Sequence, residues 1–244
     1  MNSRIESDID EAFSVFRAGL SERVGVIEGA RAILGGFFLP QIVELPFLSR
    51  MTKILVCNES RQEISAGGRI TPVSGALEKA VKALPDRTIS LIGSFWSAKP
   101  PLDKESATHL HRILRDGGVL AALLPGGTLP PEMLRFMKRA CGESGRSLNL
   151  RDDPERPGHR ERGIRKGLES AGFTSVRIWG DSSAIRPARV SDTLDIVRLL
   201  GGTDLPGGVP ADVFGRLSAI LERELADRGR IELTYTCVGV IAEK

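Results

Sequence analysis

The stretch from Thr88 to Leu124, TISLIGSFWSAKPPLDKESATHLHRILRDGGVLAALL, admits few folds. Ile89 to Gly93 reads as a buried strand. A helix is expected from about Lys104 to Arg115, because Ala107, Leu110, Ile113 and Leu114 recur at the spacing of one core-facing stripe. Asp103 stands where an N-cap belongs. Asp116-Gly117-Gly118 is expected to end the helix, since glycine takes the left-handed conformation of helix C-termini. Val119 to Leu124 is then a continuous apolar run, the mark of a strand covered on both faces. A strand, a helix and a second buried strand in this order demand a parallel pair joined by a right-handed crossover.

The rest of the chain repeats the alternation. A helix is expected over residues 8–20, with Ile9, Phe13 and Phe16 on one face. Arg23 to Ile27 reads as a short strand followed by the Gly- and Ala-rich turn EGARAILGG, and Phe37 to Leu45 as an apolar helix interrupted by Pro40. Lys53 to Cys57 and Arg69 to Val73 read as strands, and Pro72 marks the second as an edge. Helices are expected over 76–84, 132–141, 163–171, 191–200 and 211–227, with strands at 175–179 and in the β-branched closing run IELTYTCVGVIAEK. Met133, Met137 and Cys141 share a helix face as gap-filling core. Seven strands alternating with helices define an α/β fold with a mainly parallel sheet and helices on both faces.

This order carries a resemblance. HRILRDGGVLAAL is similar to the "RxLxPGGxLxx" segment of class I S-adenosylmethionine-dependent methyltransferases, with Asp116 where Pro is usual. GLESAGFTSVRIW resembles the "LLxxAGFxxVxV" segment leading to that family's sixth strand, and IELTYTCVGVIAEK resembles its closing strand. The resemblance implies one Rossmann-like domain over residues 1–244, preceded by an N-terminal helix in 1–20. It implies a last strand running antiparallel between strands five and six, and helical or loop insertions at 127–162 and 181–229 around the cofactor face. Those insertions suit a substrate lid, a homodimer surface or a contact for another protein.

The same resemblance implies S-adenosylmethionine as cofactor and a small-molecule methyl acceptor. The loop after the first strand maps to Glu28, Gly29 and Ala30, but the family's Gly-x-Gly spacing is absent and Arg31 follows. The ribose acceptor after the second strand maps to Asn58 or Glu59. The adenine contact after the third maps to Gly75 and Ala76, with alanine where the family favours aspartate. The loop after the fourth, Ser94, Phe95 and Trp96, is expected to face the methyl group. Three departures in three cofactor motifs keep a second reading open: a methyltransferase-like scaffold or interaction subunit without cofactor.

Other classes are disfavoured by what is absent. The Tyr-x-x-x-Lys pair of short-chain dehydrogenases and the GxxxxGK[ST] phosphate loop do not occur. A net charge of +3 over 244 residues, with no basic stripe interleaved with aromatics, gives no nucleic-acid signal. Three widely spaced cysteines form no disulfide framework or metal motif. No apolar run is long enough to span a membrane, and MNSRIESDIDEAF lacks a signal-peptide core, so the expected location is cytoplasmic. His109 and His111 are two apart and do not share a helix face, which makes them a poor metal pair.

Overall fold

A seven-stranded sheet in the order β3-β2-β1-β4-β5-β7-β6 organises the chain. The strands are β1 (Arg31–Gly36), β2 (Lys53–Asn58), β3 (Ile70–Ser74), β4 (Ile89–Phe95), β5 (Leu114–Pro125), β6 (Thr174–Ile185) and β7 (Leu233–Glu243). The helices are α1 (Ser3–Val24), α2 (Leu77–Ala83), α3 (Lys104–Ile113), α4 (Pro131–Glu143), α5 (Pro157–Ser170), α6 (Val190–Leu200) and α7 (Ala211–Arg228). The computed structural model describes residues 3–24, 27, 29, 31–36, 45–58, 68–96, 102–127, 129–146, 157–200 and 210–244. The helix expected over Phe37 to Leu45 falls almost wholly outside them.

The pairings β2–β3, β1–β2, β1–β4 and β4–β5 are parallel, and β5–β7 is antiparallel. The expected insertion of the last strand between β5 and β6 is therefore observed. All seven residues of β4 are buried, as its central place requires. β3 lies at the edge with none of its five residues buried, and Pro72 is tolerated there because an edge strand has backbone donors to spare.

Three elements differ from expectation. The segment read as a strand from Arg23 to Ile27 begins inside a helix: α1 continues to Val24, and Phe16, Leu20 and Val24 extend the buried stripe begun by Ile9 and Phe13, while residues 25 and 26 lie outside the described residues. The first strand is Arg31–Gly36, the segment expected to be a turn. Its register with both neighbours explains why: Ile33 lies opposite Leu55 and Ile92, and burying Ala32, Ile33 and Leu34 outweighs the weak strand propensity of the glycines. The Gly117-Gly118 pair also does not cap α3. The helix stops at Ile113, and Gly117 and Gly118 lie in β5, bonded to the backbone of Lys244 at 3.1 and 3.0 Å.

The chain divides into two compact units. The first comprises Met1–Val15, Gly126–Glu155 and Ser182–Thr236; the second comprises Phe16–Pro125, Arg156–Asp181 and Cys237–Lys244. In the first, α4 packs on α7 through Met133, Met137, Ala140 and Cys141 on one side and Val213, Leu217, Ile220 and Leu221 on the other. In the second, α2, α3 and α5 cover one sheet face, joining Ile33, Ile92, Ala122 and Val240 in a single core. The opposite face carries the end of α1. There Arg23 lies 4.8 Å over the Trp179 ring, whose Nε1 donates to Asp181 at 2.8 Å.

Helix ends in the second unit are satisfied by named side chains. Asp103 accepts from Ser106 N (3.0 Å) and Oγ (2.8 Å), which caps α3 and is worth about 1 kcal/mol. Those bonds hold its carboxyl below the usual carboxylate range. Arg112 donates to the carbonyls of Val81 and Leu84 at the end of α2 and pairs with Asp86. Lys244 Nζ donates to the carbonyls of His111 (2.8 Å) and Leu114 (2.7 Å) where α3 becomes β5.

Candidate functional site

The registers place the carboxyl ends of five strands in one row. Ser74 lies opposite Asn58, Gly35 opposite both Cys57 and Ser94, Gly36 opposite Phe95, and Phe95 opposite Leu123. This row crosses the point where strand order reverses, between β1 and β4. In open α/β sheets ligands bind outside the carboxyl ends at such a switch point. Of the residues singled out in the sequence, Asn58, Gly75, Ala76, Ser94, Phe95 and Trp96 come together along this edge.

Gly29 does not. It lies beside Ser90, the second residue of β4, and near Arg115, so it sits at the amino-terminal edge of the sheet. Glu28, Ala30 and Glu59 lie outside the described residues. The loop expected at residues 28–30 precedes β1 instead of following it, because α1 takes Arg23 and Val24, the start of the segment read as the first strand, and β1 begins at Arg31. β1 itself ends in Gly35-Gly36. The signal for it was available: Ala32 to Leu34 is an apolar run closed by two glycines, and the i, i+4 stripe of α1 runs on through Leu20 to Val24.

The glycines at this edge have distinct jobs. At Gly35 a side chain would meet Leu77 Cβ at 2.6 Å, so its absence lets the start of α2 close on β1. Gly36 has φ +112°, and a Cβ there would overlap the Phe95 carbonyl oxygen. β1 and β4 therefore finish backbone against backbone. Gly75 has φ +101° and nothing within 4 Å of a hypothetical Cβ, so only its conformation selects glycine and its backbone faces open space. Ala76 follows in extended conformation and opens α2 with no side-chain cap.

Ser94 is 1% exposed, and its Oγ has no hydrogen-bond partner among the described residues. Alternation along β4 puts it on the face of Ile92, beside Gly35 and Ala122. An unpaired buried hydroxyl costs about 1–3 kcal/mol, so its retention at a switch point asks for a reason. The two aromatics are used otherwise. Phe95 folds back over Gly93, and the Trp96 ring stacks on Phe16 at 6.0 Å and 16°. Trp96 itself has φ +53°, costly for a bulky residue, and its N–H is held by Leu123 O at 2.6 Å. Strain of this kind concentrates at functional sites.

The histidine most open to a proton-transfer role lies elsewhere. His111 ends α3 just before Leu114, which pairs with Ile89, so it belongs to the amino-terminal edge. It packs edge-on against Phe173 at 5.2 Å. Burial first, then the Lys244 ammonium, holds its imidazole below the usual 6.5. Between that depressed value and 6.5 the unfolded chain binds more protons than the fold, so stability rises with pH through the window and is complete above 6.5. Denaturant titrations below pH 6.5 are expected to show this loss, and His111→Leu is expected to flatten it. Among the described residues no group of three His, Cys, Asp or Glu side chains is arranged to hold a metal ion, and no helix is long and apolar enough to cross a membrane.

With the strand order and this edge in view, solved structures supply a fold. A candidate type II methyltransferase from Anaeromyxobacter dehalogenans is 18% identical, with 94% of each chain covered and a TM-score of 0.56. A candidate methyltransferase from Bacillus halodurans is 13% identical over 93% of this chain and 98% of its own, at TM-score 0.51. The YcgJ protein from Bacillus subtilis is 11% identical over 93% and 97%, at TM-score 0.55. No protein-family model matches the sequence, and no curated protein matches it. The chain has the class I methyltransferase fold.

Proposed function

We propose that the protein binds S-adenosylmethionine at the carboxyl ends of β1 to β4 and transfers its methyl group to a small-molecule acceptor. The observation that carries this reading is the unpartnered, buried Ser94 hydroxyl, set at the switch point beside the bare backbone of Gly35-Gly36, on the edge that also carries the open turn at Gly75-Ala76. When bound, the cofactor supplies an electrophilic methyl on a sulfonium. Gly75 and Ala76 would offer backbone to it, Ser94 a hydroxyl, and Trp96 a fixed start to the loop above it. None of these side chains is a carboxylate, imidazole or amine. Their part is to hold and orient, which is most of what an in-line methyl displacement asks of a protein.

A second reading has its own observation. Ala76 stands where the family favours aspartate, and the rings of Phe95 and Trp96 are committed to the core. This favours a scaffold that keeps the fold without the ligand, serving a protein partner or a second copy of the chain. Calorimetric titration with S-adenosylhomocysteine separates the two, run on the wild type and on Ser94→Ala. The methyltransferase reading expects micromolar binding, weakened about tenfold by the variant. It also expects Ser94→Ala to be about 1 kcal/mol more stable than the wild type without ligand, because an unsatisfied hydroxyl has been removed. No binding at millimolar ligand by folded wild type sinks the enzyme and supports the scaffold.

A further inference from the structure

The first unit contains a cleft of about 720 Å³ that the methyl-transfer reading does not use. α4 contributes Glu132, Arg135, Phe136 and Arg139; α7 contributes Glu224 and Arg228; Arg230 and Glu232 close it ahead of β7. The volume falls within the range of small-molecule sites. Four arginines face three glutamates, and most of these charges are already matched. Arg228 pairs with Glu224 at 3.1 Å, and Glu232 with Arg186 at 2.8 Å. Arg139 pairs with Glu143 at 2.9 Å. Glu132 is turned to structural use: its two carboxylate oxygens accept from the N–H and the hydroxyl of Thr234, each at 2.9 Å.

Two guanidiniums remain. Arg135 and Arg230 make no ion pair within 4 Å among the described residues, and Arg230 acts on the Glu232 carboxylate only at longer range. We propose that this cleft binds a small aromatic phosphomonoester, with Arg135 and Arg230 on the phosphate and the Phe136 ring against the aromatic group. Set against the one unpaired carboxylate, Glu132, the two guanidiniums leave the cleft net positive, and their planar forks match phosphate oxygens bidentately. The pairs Arg228–Glu224 and Glu232–Arg186 take up the flanking charges. Phe136 is half-buried and supplies an aromatic surface to the lining. The proposal stands independently of whether the other unit binds a cofactor.

The test is titration of the full chain with phenyl phosphate, inorganic phosphate and phenol by calorimetry at low ionic strength, where exposed charges are least screened. The expected dissociation constant for phenyl phosphate is about 0.1–1 mM, tighter than for inorganic phosphate, with no measurable binding of phenol. The double variant Arg135→Ala/Arg230→Ala is expected to weaken phenyl phosphate at least about tenfold. The control Arg50→Ala/Lys79→Ala removes the same number of exposed positive charges outside the cleft and is expected to leave binding unchanged. All four substituted side chains are exposed, so both variants are expected to fold, as circular dichroism will check. The proposal is overturned if the wild type binds no phenyl phosphate at about 10 mM, if inorganic phosphate binds equally well, or if the control weakens binding as much as the cleft variant.

Discussion

Gly36→Ala is expected to destabilise the protein by about 3 kcal/mol or more, enough to leave a large part of the chain unfolded in a marginal background. Two costs add. The backbone stands at φ +112°, a conformation that L residues rarely adopt. The new methyl would also overlap the Phe95 carbonyl oxygen, with the Phe95 carbonyl carbon at 2.8 Å. That obstacle is backbone inside the β1–β4 ladder, so it cannot rotate away as a side chain would. Gly117→Ala separates the two terms. Gly117 has φ +70° but nothing within 4 Å, so its variant should lose only about 1 kcal/mol from conformation. Urea denaturation of both variants against the wild type checks this. Equal losses would mean that β1 and β4 do not finish in backbone contact.

Phe16→Ala carries the other large effect, a loss of about 3–5 kcal/mol. Phe16 is fully buried, so truncation removes the whole transfer term and leaves a cavity that helix α1 cannot collapse to fill. It also removes the ring on which Trp96 stacks. Trp96 is held at positive φ by that packing and by one hydrogen bond from its N–H, so the variant loosens the start of the loop after β4. A lowered denaturation midpoint together with a changed near-ultraviolet dichroism signal is the expected pair of results. Phe16→Leu should retain most of the stability while still altering the tryptophan signal. A Phe16→Ala protein with wild-type stability would contradict the packing described.

How legible this molecule was in its sequence depended on how many signals agreed at each place. From Ile89 to Leu124, apolar runs, an N-cap aspartate and a helical stripe all pointed to strand, helix and strand, and β4, α3 and β5 follow in that order, with β5 starting at Leu114 and taking in the glycine pair expected to cap the helix. Pro72 marked β3 as an edge because a missing donor is tolerated nowhere else in a sheet. The failure came at β1, where local signals conflicted. Val24 and Val26 suggested a strand, yet Val24 belongs to the stripe of a helix that had already begun, and tertiary burial decided in favour of the helix. The glycines of RAILGG suggested a turn, yet a central strand accepts them where a neighbour presses close, as Leu77 does on Gly35. That single shift moved the candidate loop from residues 28–30 to the end of Gly36. Ser94 was singled out with its loop, but that its hydroxyl is buried and unpaired was not readable, since that is a property of its surroundings. The arginine cleft was equally hidden: α4 and α7 are far apart in sequence, and only packing brings Arg135 and Arg230 to one cavity.

The central claim is where a ligand sits. Two-dimensional amide spectra recorded during titration with S-adenosylhomocysteine address it directly. The account predicts saturable shifts of the Gly36, Gly75, Ala76 and Trp96 amides, with those of Gly29 and Gly117 unmoved. Saturable shifts centred on Gly29, or none anywhere at about 10 mM ligand, would contradict it.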